Sequence, residues 1–239
     1  MRHLSAKTER AYAGWIRRYI TFHRRRHPRD MAEREVASFL TMLAVDGHVA
    51  ASTQNQALAA LLFLYRDVLG MPMTISNEVV RAKRPKRLPD VMSRGEVANL
   101  LAELEGVAAL GCLLLYGSGL RLQECISLRV KDVDVAERTV IVRGGKGNKD
   151  RRTILSDSAA AGLARHLPKV RRLHAADLAA GHGAVALPHA LVRKYPGVAV
   201  EWGWQWIFPA SRRYVEDGTR IVRRHHIDPT VLQRAVAAA

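Results

Sequence analysis

Two basic residues stand in settings suited to phosphate chemistry. Arg121 lies in the run Gly117-Ser118-Gly119-Leu120-Arg121-Leu122-Gln123-Glu124. Glycines flanking a small residue let the backbone turn tightly, and the helix that resumes presents Arg121 near its start. A guanidinium there can fork onto two phosphate oxygens, and Glu124, one turn later, is placed to brace it. Taken alone, the run is equally a helix break with a surface Arg–Glu pair. Lys146 sits in the glycine-rich loop Gly144-Gly145-Lys146-Gly147-Asn148-Lys149-Asp150. A lysine held between glycines can come close to a backbone and give a proton to a leaving alkoxide. Taken alone, a Gly-Lys-Gly loop is more often a solvated basic hairpin than a catalytic one. The loop is not a Walker A, which needs Gly-x-x-x-x-Gly-Lys-[Ser/Thr].

Elements that would position these groups follow from periodicity. Tyr12, Trp15, Ile16, Tyr19 and Ile20 recur at helical spacing. Asp30 and Glu33 suggest a capping box for a second helix that buries Val36, Phe39, Leu40 and Leu43. Ser52 or Thr53 is placed to cap a third, with Leu58, Leu61, Leu62 and Tyr65 on its apolar face, stopped by Gly70-Met71-Pro72. Residues 1–80 therefore read as a small helical domain. Residues 81–90 form a linker in which Lys83, Arg84, Lys86 and Arg87 are candidate nucleic-acid contacts, although a merely solvated linker fits as well.

A second domain spans 91–239. Ser93 and Glu96 make another capping box, ahead of Val97, Leu100, Leu101 and Leu104. Helices run to Tyr116 and resume from Arg121 to Leu128. Residues 139–143 and 152–155 read as strands joined by the Lys146 loop, and a helix carrying Leu163, Leu167, Val170 and Leu173 follows. From Gly181 onward the chain reads as irregular and rich in Trp, Pro, Arg and His. The fold class expected is α+β, mainly helical with a small β-sheet.

The chain has 239 residues, 48% of them hydrophobic, enough for two packed cores. Its 38 Lys+Arg against 22 Asp+Glu leave a net charge of +16, spread along both halves. Such an excess favours polyanions, because phosphate-bound Lys and Arg release condensed counterions. Cys112 and Cys125 read as buried free thiols of a reducing, cytoplasmic compartment. With neither CxxC nor HExxH, no metal and no cofactor are expected. The apolar stretch Val107–Tyr116 is too short to span a bilayer, so no membrane partner is expected either.

Arg121 in a G-x-G-L-R-x-x-E turn, followed by Lys146 in G-K-G-x-K-[DE]-R, resembles the tyrosine recombinases of the phage integrase family. The resemblance implies a helical, SAM-like core-binding domain joined by the linker to a partial catalytic domain. It implies that Arg121 neutralises the scissile phosphate, that Lys146 protonates the 5′-hydroxyl leaving group, and that Glu124 is accessory. Lys149 and Arg151 become candidate DNA contacts.

The resemblance narrows at Leu187-Pro188-His189-Ala190-Leu191-Val192-Arg193-Lys194-Tyr195-Pro196, Trp202-Gly203-Trp204-Gln205-Trp206-Ile207-Phe208-Pro209 and Arg223-Arg224-His225-His226. These strings are similar to an insertion of integron integrases, here at about 181–230. That subgroup recombines gene cassettes on folded single-stranded sites, whose bulged bases are read by stacking and edge hydrogen bonds. Trp202, Trp204, Trp206, Pro209, Arg223, Arg224, His225 and His226 are the candidate contacts, to such sites and to duplex sites. Core packing is the alternative for at least one of the alternating tryptophans, and a solvated helix start for the histidine pair. Ser156 stands where the family usually has Pro, and Val215-Glu216-Asp217-Gly218 replaces a more usual turn.

The resemblance also implies a His-x-x-Arg box, a later His or Trp, and an attacking tyrosine that forms a 3′-phosphotyrosyl link. None of these is found in their family context up to Ala239. The expectation is therefore a fragment that binds DNA without cutting it, out of a family that assembles tetramers on DNA. The alternatives are a non-catalytic DNA-binding module and the product of a decayed recombinase gene.

Overall fold

The computed structural model describes residues 6–73, 90–145, 149–188, 191, 194–195 and 197–239. The chain divides into two compact units, Met1–Asp90 and Val91–Ala239.

In the first unit, helices α1 (Ala6–Phe22), α2 (Glu33–Val45) and α3 (Ala51–Phe63) enclose one core, and α3 runs on into a π turn at Leu64–Val68. The helical stripes converge as their spacing predicts: Trp15, Tyr19, Phe39, Leu43, Leu61 and Tyr65 are all buried. Two phenols lie inside this apolar core, so each needs a partner. The Tyr65 hydroxyl donates to the Pro28 carbonyl (3.0 Å) and lies 2.9 Å from the Tyr19 hydroxyl.

Two helix starts differ from expectation. Pro28–Asp30 folds into a 3-10 turn, which uses up Asp30, so α2 begins later. Its first turn is held by the Glu35 carboxylate accepting the Ala32 N–H (2.8 Å). α3 starts after Ala50 with no side-chain cap, and Thr53 and Gln54 donate their amides to the Ala50 carbonyl.

The second unit opens with α4 (Arg94–Glu103), where the Ser93–Glu96 box closes in both directions: Ser93 N–H to Glu96 Oε2 at 2.7 Å, and Glu96 N–H to Ser93 Oγ at 3.2 Å. α5 (Gly106–Ser118) and α6 (Leu122–Ile126) follow. An antiparallel meander comes next, of β1 (Val133–Asp134), β2 (Thr139–Val142) and β3 (Arg151–Ile154), with Val140 opposite Thr153 and Val142 opposite Arg151. Strand β1, two residues long, has no periodic signature.

The long α7 (Asp157–Ala179) packs on α5, and Ser156 is its N-cap, with its hydroxyl accepting the Ala159 N–H (3.4 Å). Leu114, Cys125, Leu128, Val140, Leu163 and Ile207 form the centre of this core.

The segment after Gly181 is more ordered than its composition suggests. Strands β4 (Pro209–Val215) and β5 (Val222–His226) form a hairpin, and α8 (Pro229–Ala238) returns to pack on α5. The strands escaped the sequence reading because β5 buries two arginines and β4 is mostly exposed, so no alternation of apolar and polar residues marks them.

The Tyr65 hydroxyl supports a direct prediction. Tyr65→Phe would strand the Pro28 carbonyl and the Tyr19 hydroxyl, and should lower stability by about 1–3 kcal/mol in urea unfolding.

Candidate nucleic-acid interface

α5 ends at Gly119, which adopts φ +60°, a left-handed conformation that glycine takes without steric cost. The chain then turns, and Arg121 becomes the extended residue that caps α6. Its N–H donates to Glu124 Oε2 (2.8 Å) and its Nη1 to Glu124 Oε1 (2.8 Å). The bracing expected from the sequence is therefore present. A second cation also reaches the same carboxylate. Arg151, the first residue of β3, forks onto it with Nη1 to Oε1 at 2.9 Å and Nη2 to Oε2 at 2.6 Å.

The Glu124 side chain is only 10% exposed, while that of Arg121 is 59% exposed. The hydrogen bonds from Arg151, reinforced by those from Arg121, pull the Glu124 carboxyl down to about 2. The result is an oriented guanidinium with donors left over for an incoming anion.

Lys146 lies outside the described residues, but the base of its loop is defined. Gly144 N–H donates to Asp150 Oδ1 (2.8 Å), and Gly145 N–H donates to the Lys149 carbonyl (3.0 Å). Arg143, just after β2, donates to Asp132 (2.7 Å). Lys149 is exposed to solvent.

The tryptophans do not alternate along a strand. Trp202–Trp204 form a 3-10 turn, and Trp206 pairs with Arg129 in an isolated antiparallel bridge. Trp202 and Trp204 are half-buried, whereas Trp206 is buried and its indole N–H donates to the Arg224 carbonyl (3.1 Å). The Arg129 guanidinium lies 3.8 Å from the Trp206 ring centre and donates to the carbonyls of Trp204 (2.6 Å) and Ala186 (2.7 Å). Burial pulls Arg129 down to about 10, still charged at neutral pH. The Lys131 ammonium sits 3.1 Å from the Trp204 ring centre.

His225 stacks on Trp206, and His226 meets the same ring edge-on at 5.2 Å. The pair ends a strand and does not start a helix. Burial lowers the His226 pKa, and His225 and Arg129 act in the same direction. Together Trp204, Trp206, Arg129, Lys131, Glu124 and Arg143 help line a cleft of about 620 Å³. Arg129 and Lys131 were not singled out from the sequence, because nothing local distinguishes them from solvated cations.

Residues 1–75 match the family described as "Phage integrase, N-terminal SAM-like domain", and residues 90–197 match the "Phage integrase family". An "Integrase/recombinase" of Escherichia coli is 43% identical over 237 residues, covering 99% of this chain and 70% of that protein. The chain belongs to the phage integrase family of tyrosine recombinases. The "Tyrosine recombinase XerA" of Thermococcus kodakarensis is 34% identical over 153 residues, 62% of this chain and 50% of its own length. Among solved structures, the Tn1549 transposon integrase in complex with transposon right end DNA aligns with a TM-score of 0.57 at 14% identity, covering 87% of this chain and 67% of that one. At that identity the likeness concerns the fold: a helical SAM-like domain followed by the mainly helical catalytic domain with small antiparallel sheets.

Within this recombinase, several cations expected to face DNA are committed elsewhere. Arg224 is 8% exposed and forks onto Asp177, with Nε to Oδ2 at 2.7 Å and Nη2 to Oδ1 at 2.8 Å, while its Nη1 donates to Ala210 and Ser211 carbonyls. Arg223 is 6% exposed and donates to the Val185 carbonyl (2.9 Å) and to Glu216 (2.9 Å). Both arginines therefore act as internal struts of the β4–β5 hairpin, a correction to their expected role. Their charge is neutralised by carboxylates that fold back from α7 and from the hairpin turn. Arg151 is likewise engaged with Glu124. Pro209 opens β4 and is half-buried.

Lys83, Arg84, Lys86 and Arg87 lie outside the described residues. Cys112 and Cys125 are free and buried, and burial pushes the Cys125 thiol up to about 12. Among the described residues no group of His, Cys, Asp or Glu could hold a metal ion, and no helix is long and apolar enough to cross a membrane.

Two outcomes follow from these ion pairs. Arg224→Ala leaves Asp177 buried with only its longer contact to Arg213 (3.6 Å), and should destabilise the second unit by about 3–5 kcal/mol in urea unfolding. The Glu124 carboxyl is depressed in the folded state, so its stabilisation is fully present above the unfolded carboxylate range near ~4.3 and is lost as pH falls through about 2. Glu124→Gln should flatten the stability profile across that acid window while leaving the profile above pH 6 parallel to the native one.

Proposed function

We propose that this chain serves site-specific recombination in the cytoplasm by binding DNA recombination sites of the integron type, folded single strands with extrahelical bases as well as duplexes. Four protomers would assemble on two such sites. In this reading Arg121 binds the scissile phosphate, and Lys146 is the group that would protonate the 5′-hydroxyl where an attacking tyrosine is supplied. The observation that carries it is the Trp204–Trp206 cleft. The rings of Trp204 and Trp206 and the cations Arg129 and Lys131 border the same depression as the Glu124 carboxylate that holds Arg121, and His225 and His226 back the Trp206 ring. A base removed from its stack needs a flat apolar partner and nearby polar groups, and the cleft offers both. Trp202 lies outside that lining, with the Arg171 guanidinium 5.6 Å from its ring centre, and stands as a secondary candidate.

The same reading assigns DNA binding without strand cleavage to these 239 residues. Tyr19 and Tyr65 are buried with their hydroxyls mutually bonded, and Tyr12 packs against Phe63, which supports a core role for all three. Tyr116, Tyr195 and Tyr214 are exposed, but lack the family's surrounding motif.

The test compares a bulged hairpin with its fully paired version at matched salt. The bulged form should bind about 10-fold tighter, the scale of one stacked base, and Trp204→Ala should remove most of that preference. Equal affinities would sink base recognition. A DNA adduct that survives denaturing electrophoresis would overturn the assignment of binding without cleavage.

A further inference from the structure

The contacts around Glu124 join parts of the chain that the family resemblance treats as separate boxes. Glu124 belongs to α6, Arg121 precedes it, and Arg151 opens the strand that leaves the Lys146 loop. The two arginines share one carboxylate: both Oε1 and Oε2 receive a donor from each. Gly145, on the other leg of the loop, lies directly over this pair. A Cβ there would stand 3.0 Å from the Lys149 carbonyl oxygen, 3.2 Å from Arg151 Nη1 and 3.5 Å from Glu124 Oε1. The leg that leaves β2 is fastened separately, by Arg143 on Asp132. Both legs of the loop that carries Lys146 are thus clamped by Arg–carboxylate pairs, and one of those carboxylates is the brace of Arg121.

We infer that Arg151 is a positioning residue that locks the base of the β2–β3 hairpin, at Gly145 and Arg151, to the Arg121 turn through Glu124. This rests on the reading of Arg121 as a phosphate ligand and replaces a direct DNA contact for Arg151. The chemistry requires arginine. A guanidinium presents two parallel donors to the two carboxylate oxygens, whereas an ammonium keeps the charge but not the fork. With lysine at 151, Glu124 would be free to rotate away from the Arg121 N–H, and Gly145 would lose the flat surface beneath it.

The decisive variant is therefore Arg151→Lys in the 239-residue chain, read first by amide hydrogen exchange without DNA. Exchange at the Arg121 and Gly145 amides should rise by about 10-fold, the scale of one lost hydrogen bond to a charged group, while the β2–β3 ladder amides keep their rates. Gly145→Ala should produce the same rise at Arg121, although it changes no charge. Unchanged exchange at Arg121 in both variants, or ladder amides that open along with it, would overturn the inference, the latter because the pair would then be only fold scaffold.

DNA affinity supplies the second arm. In a positioning role, Arg121→Ala costs much less affinity in the Arg151→Lys background than in the native chain, because Arg121 is already misplaced. If instead Arg151→Lys binds like the native chain and Arg151→Gln lowers the salt slope by about one phosphate, Arg151 is a direct DNA ligand and the inference fails. Should Arg121→Ala leave native affinity unchanged, it is the phosphate reading of Arg121 that fails, and the exchange rates still decide the coupling.

Discussion

A single carboxylate on a five-residue helix organises the catalytic half of this recombinase. Glu124 is nearly excluded from solvent, and a charge in that position is tolerable only if it is saturated with donors. Four hydrogen bonds from Arg121 and Arg151 meet that need. Satisfying Glu124 fixes the turn after α5, the orientation of Arg121 and the start of β3 together. The left-handed Gly119 and the bare Gly145 are the backbone conditions for this geometry: one allows the turn, the other allows the hairpin leg to lie over the pair.

The insertion is built by the same economy of charge. Arg129 crosses from the segment after α6 to hold the Trp204 carbonyl and the Trp206 ring, and Arg224 holds Asp177 of α7. A half-buried Arg129 and a buried Arg224 therefore take the place of the apolar side chains that usually seat a hairpin on a core. Because a guanidinium taken out of water needs acceptors for its donors, these arginines favour a particular seating of the hairpin. The cleft beside the tryptophans is a consequence of that seating. The net charge of +16 thus divides into cations that hold the fold and cations left facing solvent, such as Arg121 and Lys149.

Much of the helical framework was legible in the chain itself. Apolar spacing placed Tyr19, Phe39, Leu61 and Tyr65 in one core, and the Ser93–Glu96 box located the start of α4. Both signals are local, set within one or two helical turns. The starts of α2 and α3 lie elsewhere because Asp30 belongs to a 3-10 turn begun at Pro28 and α3 begins after Ala50 without a side-chain cap. The β4–β5 hairpin was illegible for a different reason: its stability comes from ion pairs and main-chain bonds to distant segments, so its own side chains carry no period.

What the sequence determined alone was the inventory: a helical first domain, a mixed second one, an arginine turn and a lysine loop of the phage integrase type, and an excess of positive charge. Which of those charges can face a ligand was decided only by tertiary structure. Arg224 meets Asp177 across 47 residues and Arg151 meets Glu124 across 27. Whether a cation is spent internally or left free depends on what folds against it. A run of letters such as Arg223-Arg224-His225-His226 presents four similar candidates, and burial separates them into two struts and two ring faces.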